Sequence, residues 1–295
     1  MPYRTDGLID LKLIEATKIV IVGAGSLGSL LASLLVYPWR QIVIIDPEVL
    51  RKENVERHLL GRSWIGKPKA EGVFECLEDA GVPRILPLVA PVEDVLDAHR
   101  DADIIVLTTG SDAVSSWVNQ WNSFGIPMII GGVYPQGIGG EATALPNPKK
   151  VCFLCAQSQF VRNGHEYQPG NYGIPPDSQD LRAVPALKYA VMDIAGLCAW
   201  LVLAVIQKEE PAQTIQWFGK WTQALTLPEG GGRLRRLMGA WFYAQRVLGM
   251  SPSIWLGRRC RDREVSFRGS RLYWPLERWA GCPFHESAIR RLEEI

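Results

Sequence analysis

The chain has 295 residues, 47% of them hydrophobic and 21% charged, a globular composition long enough for one large α/β domain with a sizeable core. Thirty-two basic residues against thirty-one acidic ones leave a formal net charge of +1, which argues against a dedicated nucleic-acid or membrane-surface binder. No basic start followed by an apolar core opens the N-terminus, so no secretory signal is expected and the cytoplasm is the default compartment.

Residues 18–22, Lys-Ile-Val-Ile-Val, form a β-branched run closed by Gly23, the pattern of a fully buried parallel strand. Helical periodicity runs from Ser26 to Val36 and stops before Pro38, and a second apolar run, Gln41 to Ile45, leads into Asp46-Pro47. Parallel strands require such a crossover. Further strands are expected at Ile85–Val89, Asp103–Leu107 and Met128–Ile130. This alternation predicts a doubly wound, Rossmann-like, mostly parallel sheet.

After Cys155, residues 156–182 are polar and rich in glycine and proline, as in a long crossover loop. A helix is expected over roughly Pro185 to Gln207. Its apolar run, Ile194 to Ile206, is shorter than the roughly twenty residues a membrane span takes, so it is read as a buried helix. Residues 214–248 look helical or mixed, and the tail from Ser253 to Trp274 carries short strand-like runs. Seven of the eleven tryptophans follow residue 199, and core filling is the reading for most of them.

Gly23-Ala24-Gly25-Ser26-Leu27-Gly28 follows a strand and opens a helix. The first glycine permits the tight turn and the second lets phosphate approach the backbone. The third allows close helix–strand packing, and the helix N-terminus offers unpaired amides. Asp46, twenty-one residues after Gly25, sits where a carboxylate accepts from ribose hydroxyls. By themselves these features mean an adenosine nucleotide, with NAD and ATP both open. NAD brings a diphosphate of about −2, which a helix N-terminus largely handles. ATP brings roughly −4 and needs cations and Mg²⁺. Asn54, Arg57 and Lys69 would supply the cationic and donor groups; the competing reading is a charged helix that merely solubilises.

With Asn54-Val55-Glu56-Arg57, Gly66-Lys67-Pro68-Lys69 and Thr109-Gly110-Ser111-Asp112 added to the glycine loop and Asp46, the chain resembles the ThiF/MoeB/ubiquitin-activating adenylyltransferases. The resemblance covers nearly the whole chain and is strongest from Lys18 to Ala70. It implies a single adenylation domain over 1–295. Residues 17–145 would form the ATP-binding half, and 146–295 the crossover loop, helices and a β-rich, zinc-tethered tail. By the same resemblance Asp46 holds the ribose, and Asn54, Arg57 and Lys69 the phosphates. Asp112 binds Mg²⁺ near the α-phosphate, and Arg4 reaches the phosphates across a homodimer. Asp112 is read on a loop.

Cys152-Phe153-Leu154-Cys155 and Cys282-Pro283-Phe284-His285 have ligand spacing for one tetrahedral zinc with three thiolates and an imidazole. This resembles the family's structural zinc, with histidine replacing the last cysteine. A redox Cys-x-x-Cys pair is the rival reading, and Cys260 is a reserve ligand. No cysteine occurs over 156–185, where self-acylating members carry theirs. Cys198 lies in the apolar run and Cys76 in a helical stretch. His58, His99 and His165 have no partner spacing that makes them ligands or bases.

The expected activity is ATP-dependent adenylation of the C-terminal carboxylate of a small ubiquitin-like or sulfur-carrier protein, with acyl-AMP left as product or handed to a thiol on another protein. Two alternatives stay open: the same chemistry on a tRNA or small-peptide carboxylate, and an NAD-dependent oxidoreductase.

Overall fold

Strand β1 (Lys18–Val22) is buried along its whole length, so its side chains face apolar surroundings on both sides, which is why its sequence does not alternate. The computed structural model describes residues 7–133, 139–156, 186–208, 212–218, 266–268, 271–275 and 282. Helix α1 (Leu11–Ala16), capped by Asp10, precedes β1; α2 (Ser26–Leu34) and β2 (Gln41–Ile45) follow it. Then come α3 (Lys69–Asp79), β3 (Ile85–Leu88), α4 (Val92–Val95), β4 (Ile104–Leu107), α5 (Asp112–Trp121) and β5 (Met128–Val133). The remaining described elements are β6 (Gly139–Leu145), α6 (Lys188–Ile206), β7 (Gln213–Phe218), β8 (Ser266–Arg268) and β9 (Arg271–Pro275).

Among the described residues the strands form one sheet in the order β3-β2-β1-β4-β5-β6-β7-β9-β8. The first five run parallel, which is the doubly wound part the sequence predicts. From β5 onward every pairing is antiparallel, so the parallel character ends where the crossover helices end. Period-two alternation separates two cores. Ile19, Ile21, Ile42, Ile44 and Ile104 face α2, α3 and α6, whereas Val20, Val22, Val43, Ile45 and Ile105 face α4 and α5.

Several expectations are corrected. The helix expected over Ser26–Val36 stops at Leu34, and β5 extends past Ile130 to Val133. Of the stretch expected to be helical or mixed from Thr214, the described part is strand: Gln213–Phe218 pairs with β6 and β9. Asp112 opens helix α5 instead of lying on a loop. The crossover 157–182 and the rest of 219–248 lie outside the described residues. Of the tryptophans after residue 199, Trp200 is 42% exposed and not core; the side chains of the others lie outside the described residues.

Helix α6 spans nineteen residues and is long and apolar enough, by length and composition, to cross a membrane. Eleven of the nineteen are buried against α2 and the sheet, among them Ile194, Leu197, Leu201 and Val205. A helix covered by its own fold in this way reads as a core helix.

Candidate functional site

The carboxyl ends of β1, β2, β4 and β5 meet where the strand order reverses between β1 and β4, the place at which open α/β sheets bind ligands. A cleft of about 850 Å³ opens there. Gly23 turns the chain off β1 with φ +97°, where an L side chain would be strained. Its N–H donates to Ile45 O at 2.8 Å, and Thr108 Oγ1 donates to Gly23 O at 2.7 Å. Gly28 sits one turn into α2, and a Cβ there would lie 1.8 Å from Gly23 O. That position closes helix onto strand. Gly25 caps α2, lines the cleft, and a Cβ on it would meet no heavy atom within 4 Å.

Asp46, 5% exposed, ties the loop to the end of β2. Its Oδ2 accepts from Ala24 N at 2.6 Å and its Oδ1 from Glu48 N at 2.8 Å. Burial raises its pKa above the ordinary carboxylate value, and the positive charge of Lys69 and the two backbone donors pull it back. Lys69, the first residue of α3, is almost fully buried and forms an ion pair with the exposed Glu48. The charged segment between Asp46 and Lys69 is not a solubilising helix. It is a loop with 3₁₀ turns at 52–54 and 62–64, held by isolated bridges from Val49 and Leu50 to Pro68 and Ile65.

Asn54 Oδ1 accepts from Arg51 N at 3.1 Å, which leaves the amide NH₂ as the donating end of that side chain. Asn54, Arg57, Lys69 and Asp112 all line the cleft with Gly23, Gly25 and Asp46. Partial burial lowers the Arg57 guanidinium from its ordinary pKa, and it stays protonated. Ser111 caps α5 by accepting from Val114 N at 3.3 Å, so the helix end does not depend on the Asp112 carboxylate. Arg4 lies outside the described residues.

The histidine left without a role by its spacing turns out to touch the loop. His58 is 1% exposed; its Nε2 lies 2.8 Å from Ala24 O and its Nδ1 accepts from Leu60 N at 3.1 Å. A ring accepting at Nδ1 donates at Nε2 and is neutral. Burial, with Lys69, Lys188 and Arg57 nearby, pushes its pKa down to about 4. Lys188, at the start of α6, donates to His58 O at 2.8 Å. Position 58 next to Arg57 was the available signal, but a contact with Ala24 thirty-four residues away has no mark in local sequence.

Cys152, Cys155 and Cys282 are buried together, with their sulfurs within 4.8 Å of one another. The Cys152–Cys155 and Cys152–Cys282 sulfur distances are 3.7 and 3.5 Å. A tetrahedral zinc with Zn–S near 2.3 Å would hold thiolates roughly 3.8 Å apart, so the spacing fits such an ion. The hydrogen bond with Cys155, then burial, raises the Cys152 thiol above its ordinary pKa, a preference that a bound cation reverses. His285 and Cys260 lie outside the described residues. Cys198 is fully buried and its thiol is pushed up to about 12. Burial and the charges of Glu75 and Asp79 also raise Cys76.

Comparison with known proteins matches the ThiF family to residues 4–227. The catalytic subunit of the NEDD8-activating enzyme E1 of Caenorhabditis elegans is 28% identical over 174 residues, 52% of this chain and 40% of that protein. The ATP-dependent ubiquitin transferase-like protein Cap2 of Enterobacter hormaechei is 33% identical over 107 residues, 34% of this chain and 18% of Cap2. These matches therefore span less than half the length of either relative. E. coli MccB, solved with AMPCPP and MccA, shares the fold with a TM-score of 0.54 at 19% identity, covering 71% of this chain and 62% of MccB.

Proposed function

The chain belongs to the ThiF family, and on that premise we propose that it is an ATP-dependent adenylyltransferase. It activates the C-terminal carboxylate of a small ubiquitin-like or sulfur-carrier protein. A carboxylate oxygen attacks the α-phosphorus, the bond to the bridging oxygen of the β-phosphate breaks, and acyl-AMP and pyrophosphate form. Asp46 takes the ribose, and the Gly25 backbone and the start of α2 take the phosphates. Asn54, Arg57 and Lys69 hold the charge that moves onto pyrophosphate, and positioning with charge neutralisation is most of what this step needs. The Asp112 carboxylate, a hard oxygen donor in the same cleft, suits Mg²⁺, which would supply further neutralisation.

The observation that carries this reading is the convergence of Arg57 and Lys69 on the cleft that the glycine loop and Asp46 also line. A hydride-transferring enzyme with a diphosphate cofactor has less phosphate charge to neutralise, and a helix N-terminus largely handles it. The names of the relatives, a NEDD8-activating enzyme E1 catalytic subunit and an ATP-dependent ubiquitin transferase-like protein, support a protein carboxylate as substrate. Homodimerisation, with Arg4 from one subunit serving the other, and a structural zinc on Cys152, Cys155, Cys282 and His285 belong to the same proposal. ATP–pyrophosphate exchange stimulated by a candidate carrier protein, and not by tRNA, tests it. Stabilisation by NADH and not by Mg·ATP would end it.

A further inference from the structure

We infer that His58 is a positioning residue that fixes which way the glycine loop presents its amides, and so sets phosphate binding; the inference rests on the adenylation reading. Two peptide planes flank Ala24. In the first, Ala24 N–H goes to Asp46 and Gly23 O receives Thr108 Oγ1, so both ends are held. In the second, Ala24 O is 2.8 Å from His58 Nε2. A trans peptide points its C=O and N–H in opposite directions. With Ala24 O turned onto the buried ring, the Gly25 N–H points away from that ring, and Gly25 lines the cleft. A flip of this plane would offer a carbonyl to the phosphates instead of a donor.

The ring is itself held. Leu60 N donates to Nδ1, His58 N donates to Asn54 O at 3.0 Å, and Lys188 binds His58 O. The residue thus ties the turn bearing Asn54 and Arg57 to the loop, and links both to the start of α6. Lys69, Lys188 and Arg57 are the charged groups around it, all cationic, and each opposes a proton on Nδ1. A neutral amide has the same pair of functions, one donor and one acceptor. Glutamine is therefore the conservative replacement.

The test is titration calorimetry of the full chain and its His58→Ala and His58→Gln variants with Mg·ATP and with adenosine. His58→Ala is expected to weaken Mg·ATP by at least about tenfold, through loss of an oriented donor to charged phosphate, with adenosine unchanged. His58→Gln returns Mg·ATP affinity to within about threefold of the unaltered chain. Equal weakening of adenosine and ATP, or no rescue by glutamine, marks a merely structural residue and overturns the inference. Unaltered ATP binding by His58→Ala overturns it alone, whereas absence of ATP binding in the unaltered chain overturns the adenylation reading as well. Ring ¹⁵N spectra of the unaltered chain, assigned with His58→Gln, give a readout that needs no alanine variant to fold. The Nε2–H tautomer must persist from pH 8 to about 5; the Nδ1–H tautomer, or titration within that range, refutes the clamp.

Discussion

Two glycines three residues apart should fail in opposite ways when given a methyl group. At Gly28 an added Cβ would lie 1.8 Å from Gly23 O and 2.5 Å from Thr108 Oγ1. Neither neighbour can step aside: one is backbone, and Thr108 already donates toward Val22 O and Gly23 O. Helix α2 has to lift from the loop by more than an ångström, which loosens its packing on α6 and β1. Overpacking costs about 1–3 kcal/mol, and a backbone collision belongs at the top of that range. At roughly 2–4 °C per kcal/mol for a chain of this size, Gly28→Ala should melt about 6–12 °C lower. At Gly25 the same methyl meets nothing within 4 Å, and φ −69° suits any residue. Gly25→Ala should melt within about a degree of the unaltered chain, yet bind Mg·ATP at least about tenfold more weakly, because the methyl stands where phosphate approaches the backbone. Thermal melts and calorimetry on both variants decide it. A Gly28→Ala protein with unaltered melting, or a Gly25→Ala protein with unaltered affinity, would refute the division of labour between the two positions.

Asp112→Ala should reduce ATP–pyrophosphate exchange by about a hundredfold or more while melting normally, since Ser111 and not Asp112 caps α5; exchange near the unaltered rate would remove Asp112 from the site. Cys282→Ser should lower both zinc content and melting temperature, and retention of one zinc per chain would refute the ligand set. His58, with a folded pKa near 4 against 6.5 in the unfolded chain, binds fewer protons when folded. Its contribution is complete above pH 6.5 and falls away as pH drops through 4. The loss is at most about 3 kcal/mol. Denaturant unfolding of the unaltered chain against His58→Gln over pH 7 to 4 measures it, and equal slopes would contradict the buried neutral ring. Incubation with carrier protein and Mg·ATP should yield no reductant-sensitive thioester on Cys76 or Cys198, because both thiols lie above their ordinary pKa; a thioester trapped on either would overturn that.

What the sequence reveals most directly is what local pattern controls. Strands 18–22 and 41–45 are continuous β-branched runs, and their observed bounds match. The nucleotide loop is equally legible, because its glycines answer to steric needs that hold wherever such a turn occurs. Strand β6 is not legible in the sequence because Gly-Gly-Glu-Ala-Thr-Ala-Leu has weak β propensity. Its small residues are there for packing: a Cβ on Gly140 would lie 2.5 Å from Gly132 O and 2.6 Å from Ile194. Strand β7 is hard to tell from helix locally for a related reason, since its pairing with β6 and β9 is supplied by distant residues. The roles of Glu48, Thr108 and His58 are likewise tertiary. Each touches the loop or its cations through contacts that span twenty-one to eighty-six positions.

Cations were the feature that separated ATP from NAD in the sequence, and the structure changes how that argument has to be made. Arg51, Arg57 and Lys69 line the cleft, but so do Asp46, Glu48, Glu53, Glu93 and Asp112. Five carboxylates against three cations do not make an electropositive funnel for a tetra-anion. Placement matters more than the sum. Lys69 is buried while its partner Glu48 is 54% exposed. The carboxylate can therefore relax into water when a phosphate arrives, whereas the ammonium has no comparable exit. The dehydration of Lys69 is completed on folding, so it adds little to the free energy of binding, and at its buried position the attraction for phosphate is weakly screened. The surplus acid charge is then balanced by what travels with the nucleotide. On the proposed reading the site is complementary to a metal-bound triphosphate rather than to the free anion, and Asp112 is the carboxylate that makes that distinction.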